Sequence, residues 1–278
     1  MWLISLAACG PRPEFVTAPS ISTTPNAPLS AELTVTSDIP TILHVTLKSD
    51  NVDLDLTFPD LTCEHRVQLH ATRPDQEIEV HIELDDPLGG HRSENASWHT
   101  DPLPADLPRI ELLGVDASRV YEGWLLLPIV SIDGGGWLVA IDPRDGEIVW
   151  AYAGPWRLEV VGLSDHKTLV GLSGQGVVEI DWMGNELHRW ETPDSPPAGG
   201  IPIQASRIDH DVQLKDGQLT LISTRAAHVK EFPTSYEDPT LLGGPATLED
   251  HEIVTFDAED GTDDALPLRM TAGASTPL

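Results

Sequence analysis

Ile141-Asp142-Pro143-Arg144-Asp145-Gly146-Glu147-Ile148-Val149-Trp150 is answered about 40 residues later by Ile180-Asp181-Trp182-Met183-Gly184-Asn185-Glu186-Leu187-His188-Arg189-Trp190. Phe256-Asp257-Ala258-Glu259-Asp260-Gly261-Thr262 repeats the opening a third time. Two apolar runs precede each copy: Trp124–Ile132 with Trp137–Ala140, Thr168–Leu172 with Val177–Glu179, and Gln218–Ser223 with His251–Thr255. The Asp side chain can bond the turn backbone and Gly can take positive φ, so each copy predicts a closed hairpin. A period near 40 residues with an Asp/Gly turn and a closing Trp predicts propeller blades over 109–278, with Trp150 and Trp190 between neighbours. Three blades fall short of the usual four to eight. The reading is therefore an incomplete β-propeller whose open edge invites self-association. The third repeat is longer, and Arg225–Glu249 reads as an inserted loop.

Upstream, the pattern changes to short alternation: Ala31–Thr36, Thr41–Leu47, Val52–Leu56, Glu64–His70 and Glu77–Glu83. Period-2 alternation marks half-buried strands. About seven strands are expected over 28–104, as an immunoglobulin or fibronectin III-like β-sandwich. The whole chain is thus all-β. Six of the 11 histidines lie in this stretch, among them His44, His65, His70 and His81. Alternating with apolar residues, they read as a solvated strand face rather than a metal site. Thr100–Pro108 reads as a hinge, because Pro102, Pro104 and Pro108 cannot donate to a ladder.

The chain has 278 residues, 16 Lys+Arg against 45 Asp+Glu, and a formal net charge of −29. Such a balance argues against nucleic acid, whose binding rests on basic side chains that release counterions. No apolar run is long enough for a transmembrane helix. Met1–Gly10 nevertheless ends in Leu6-Ala7-Ala8-Cys9, which resembles the cleavage box of a bacterial lipoprotein signal. The resemblance implies a partial signal over 1–9, lipidation at Cys9, a Pro/Ser/Thr-rich tether over 10–27, and a periplasmic or extracellular protein held to the membrane by its lipid. The second cysteine, Cys63, is then expected to be unpaired, buried and inert.

The strongest chemical signal is Arg207-Ile208-Asp209-His210-Asp211-Val212-Gln213-Leu214-Lys215-Asp216-Gly217. With the preceding sandwich, the Thr100–Pro108 segment and the Asp/Gly/Trp turns, it resembles the bacterial arylsulfotransferase family. In that family a small sandwich precedes a propeller, and a His-Asp pair opens the innermost strand of a blade. The resemblance implies transfer of a sulfuryl group from an aryl sulfate to a phenolic acceptor through a histidine, with no cofactor and no metal. It implies His210 as the catalytic imidazole, Arg207 and Arg225 as sulfate contacts, and Asp209 or Asp211 as the group orienting the ring. A chain with three blades is expected to be inactive by itself. Two alternatives stand beside it: a non-catalytic binding or scaffold propeller, and a fragment of a quinone-dependent dehydrogenase propeller.

Overall fold

The computed structural model describes residues 12–270 except 71, 121, 131–135, 154–157, 165–166, 174–175, 194–198, 236 and 263–267. Side chains of 117, 130, 158–161, 173, 209–210, 227, 248–250 and 268–270 are outside the description. The described chain is all-β; its one helical turn is the 3-10 segment Ala117–Arg119. It divides into two compact units, the first made of Met1–Ile129, Trp137–Gly154 and Trp182–Gly184, the second of Val130–Gly136, Pro155–Asp181 and Asn185–Leu278.

In the first unit a five-stranded sheet is built from β1 (Ser20–Thr23), β2 (Ala31–Lys48), β3 (Asp53–Leu69), β4 (Glu77–Asp85) and β5 (His91–His99). β2 joins two runs that the alternation had separated, and β3 likewise joins Val52–Leu56 to Glu64–His70. The β2–β3 ladder survives the Pro40 break through register shifts between Thr36 and Leu43, and such irregularities bend a strand without ending it. The bend lets one strand serve both ends of a single core, containing Leu33, Val35, Leu43, Val45 and Leu47 together with Ile78, Ile82, Leu84 and Trp98.

Of the stretch read as a tether over 10–27, the described part is engaged with the sheet. β1 pairs antiparallel with β2, Val16 N donates to Thr36 O at 2.8 Å, and Phe15 packs on the core. Chain already committed to a ladder cannot act as a free spacer. Nor is Thr100–Pro108 a free hinge. Leu103 and Leu107 pack with Leu29 against Trp137, Val139, Ile141, Ile148 and Ala151. The prolines forbid a ladder, but the intervening leucines still have apolar surface to bury.

That second core belongs to a small sheet, β6 (Leu125–Val130), β7 (Gly136–Ile141) and β8 (Ile148–Tyr152), carrying the first repeat. Its turn is closed by Gly146 N to Asp142 O at 2.8 Å, with Gly146 at φ +78°. The Arg144 guanidinium grips the Asp142 carboxylate and, with backbone bonding and Arg73, holds its pKa down to about 2 against the cost of burial. Arg73, itself nearly buried, donates Nη2 to Asp142 at 3.3 Å and to Asp145 at 2.8 Å. Trp150 is fully buried and donates its indole N–H to the carbonyl of Trp182 at 2.8 Å. Ser30 Oγ donates to the same oxygen at 2.9 Å.

The second unit holds two more sheets. One runs β9 (Leu158–Leu163), β10 (Leu169–Ser173), β11 (Gly176–Ile180), β12 (Glu186–Glu191), with β13 (Ile201–Pro202) added in parallel to β12. The other runs β14 (Arg207–Lys215), β15 (Gln218–Val229), β16 (Ala246–Asp257) and β17 (Leu268–Met270). Trp190 repeats the behaviour of Trp150: it is buried and donates its indole N–H to the carbonyl of Ala258 at 2.9 Å. Trp182 follows Asp181 and Ala258 follows Asp257, so each tryptophan bonds the residue after the turn aspartate of the next repeat. Gly261, at φ +74°, has no room for a Cβ, which would lie 2.2 Å from Pro202 O. The stretch Arg225–Glu249 is a loop only in its middle part. β15 and β16 stay paired from Gln218↔Asp257 to Val229↔Ala246, so the two ends of that stretch lengthen one hairpin and residues 230–245 form its connection.

Candidate functional site

His210 and Asp211 form an irregularity in β14. Asp209 pairs with Ile222 and Val212 with Leu221, leaving no partner residue opposite the two between them. Asp211 takes φ +78°, outside the conformations favoured by non-glycine residues. Bulges of this kind turn a strand and re-aim its side chains, and they are over-represented beside active sites. The irregularity recovers at Val212 and Leu214, which return to the buried face with Leu219 and Leu221.

A cleft of about 460 Å³ opens beside the bulge. Gly162 of β9 stands against the Val212 backbone, where an added Cβ would lie 3.5 Å from its carbonyl oxygen. Leu163, Val170, Val212, Leu221 and Ile253 supply apolar walls, and Asp211, Gln213 and Thr220 supply polar groups. Among the described residues lining it, the charged group is the Asp211 carboxylate.

Sheet pleating separates the two predicted arginines. Arg207 pairs with Thr224, and Arg225 is the next residue along β15, so the arginines stand on opposite faces of this sheet. Both are exposed. They do not converge on one ligand from here. The side chains of Asp209 and His210 are outside the description, and Cys9 lies outside the described residues altogether. Cys63 is a free thiol on β3, half-buried rather than buried.

Sequence reading passed over another polar group. Glu179 on β11 sits directly across from His188 on β12 and is 3% exposed. His188 Nδ1 lies 2.6 Å from Glu179 Oε2, and the Thr168 hydroxyl donates to the other carboxylate oxygen. The His188 side chain is 56% exposed, and its ring stands 5.8 Å from that of Trp190. The available signal was a lone Glu amid the apolar run Val177–Ile180, since a buried carboxylate needs a partner.

The histidines of the first unit behave differently. His44, His81 and His91 alternate with Glu83 and Asp85 along the exposed sheet face, at 2.7–3.6 Å. Among the described residues no group of three His, Cys, Asp or Glu side chains is arranged to hold a metal ion. His70 is largely buried, stacked on Trp182 at 5.4 Å and edge-on to Trp124 at 6.1 Å, and burial pushes its pKa down.

No protein-family model matches the chain, and no curated protein matches it. Among solved structures it is similar to a protein of unknown function from Bacteroides caccae, at 13% identity over 84% of this chain and 73% of that one, with a TM-score of 0.21. At that score the likeness carries no argument about fold or function.

Proposed function

We propose that this chain is an arylsulfotransferase-like envelope protein, a sandwich followed by a partial propeller, whose β14 bulge receives the phenolic partner of such a reaction. The observation that carries the reading is the bulge itself: the His-Asp pair singled out by resemblance occupies the irregular point of a strand bordering a cleft. The cleft volume suits a small aromatic molecule. Apolar walls favour a ring, and a phenol O–H can donate to Asp211 or Gln213. The same carboxylate repels an aryl sulfate, and Arg207 and Arg225 do not offset it together. Binding of a neutral phenol is accordingly the activity assigned to the chain by itself, with sulfuryl transfer through His210 requiring cations from further blades.

Within the second unit, the Trp190 indole hydrogen bond to Ala258 O supports the propeller reading, because it ties one repeat to the turn of the next. Cys9 is the proposed lipid attachment point, and the open edge is the proposed surface of self-association. A transfer assay from p-nitrophenyl sulfate to phenol tests the catalytic part. The chain alone is expected to show little turnover. A version completed with further blades is expected to transfer, with His210→Ala lowering its rate at least about 10²-fold. His210-dependent turnover by the isolated chain would overturn the division of labour, and an unchanged rate in the completed His210→Ala protein would remove His210 from the site.

A further inference from the structure

We propose that His188 is a reactive imidazole that accepts an acyl group from a neutral activated ester. A carboxylate can only accept, so the 2.6 Å contact with Glu179 Oε2 places the imidazole proton on Nδ1. Nε2 then carries the lone pair, on a side chain open to solvent. Glu179 cannot swing away: it is buried, and its other oxygen is held by Thr168, whose hydroxyl in turn contacts Ser164 Oγ at 2.6 Å. A carboxylate fixed in this way orients the ring and stabilises the cation formed on attack, the arrangement that nucleophilic and general-base histidines require.

A cleft of about 260 Å³ is lined by Glu186, Leu187, His188, Arg189, Gly199, Gly200 and Ile201. Arg189 is already engaged by Glu186, with Nε at 2.9 Å from Oε1. The Glu179 carboxylate against the ring disfavours an anionic phosphate or sulfate ester, which selects a neutral electrophile. In the reaction, the Nε2 lone pair forms a bond to the ester carbonyl carbon and the aryloxide leaves with the C–O electrons. The positive charge of the acyl-imidazolium faces Glu179 through Nδ1–H. Water then adds to the acyl carbon, the N–C electron pair returns to Nε2, and one proton of the water reaches the aryloxide. The products are carboxylic acid and phenol.

The test is release of p-nitrophenolate from p-nitrophenyl acetate by the full chain, with the acetyl group mapped by mass spectrometry. His188→Gln is expected to lower kcat/KM at least about tenfold. His228→Gln, altering an exposed histidine on β15 that bonds Thr247, is expected to leave it unchanged. Glu179 acts here as a positioning residue. Glu179→Gln can still accept from Nδ1 but removes the charge, so it is expected to lower kcat several-fold with little change in KM and to shift the pH profile. If Glu179→Gln does not fold, the mapped adduct decides: acetyl on His188 upholds the proposal. Equal rates for the parent and His188→Gln, or acetyl found on other residues alone, would show that the Thr168–Glu179–His188 group is purely structural.

Discussion

The Asp142 turn of the first unit and the Asp257 turn of the second share one backbone and differ in what stands behind it. Gly146 and Gly261 have nearly equal φ, +78° and +74°, and each donates its N–H to the turn aspartate's carbonyl, at 2.8 and 2.9 Å. Behind the first lie Arg144 and the nearly buried Arg73, both on the Asp142 carboxylate. At the second, Asp257 Oδ1 serves only backbone N–H groups in the described contacts, those of Glu259 and Asp260. A repeated sequence therefore encodes the local hairpin, while residues far away in the chain decide how firmly each copy is held.

Removing the distant support should expose this difference most strongly. Arg73→Ala leaves the Asp142 carboxylate, 3% exposed, with a single cation. The expected cost is about 2–3 kcal/mol, the scale of losing hydrogen bonds to charged groups. Hydrogen exchange should rise in β7 and β8 and stay unchanged in β15 and β16. Gly261→Ala reverses the pattern: the new Cβ meets Pro202 O and a strained φ. A loss of about 2–3 kcal/mol is expected, read as faster exchange in β16.

Acid should separate the units again, through Asp142 and through His70 and His65, both lowered by burial. Asp142 is depressed to about 2 from 3.8, so its contribution is present above pH 3.8 and is lost as pH falls through 2. His70 is lowered from 6.5 by burial, so its protonation favours the unfolded chain and stability falls as pH drops below 6.5. His70→Phe should flatten the fall in first-unit stability between pH 7 and 5, measured by denaturant titration. The smallest effect is expected from Asp257→Ala, about 1 kcal/mol, the scale of losing a capping carboxylate.

Local structure was legible where its causes are local. The Asp/Gly turns, the paired apolar runs and the buried positions of Trp150 and Trp190 follow from turn chemistry and from tryptophan's need to hide its ring. Features set by distant partners were not legible. Nothing within Pro11–Pro28 announces that β1 will pair with β2, and Pro40 reads as a strand end because its accommodation depends on β3. The site divides along the same line. His210 and Asp211 stood out as a motif, but their place in a bulge depends on pairing with β15. The opposite facing of Arg207 and Arg225 becomes visible only with the register, and Glu179 and His188 needed the β11–β12 ladder to meet.

The most direct measurement of the functional account is calorimetric titration of the chain with phenol and, separately, with phenyl sulfate. Phenol is expected to bind saturably, to lose at least about tenfold in affinity in Asp211→Ala through the missing charged acceptor, and to bind at least about tenfold more tightly than phenyl sulfate. Phenyl sulfate binding as tightly as phenol, or phenol binding that ignores Asp211→Ala, would contradict the assignment of the β14 bulge as a neutral phenol site.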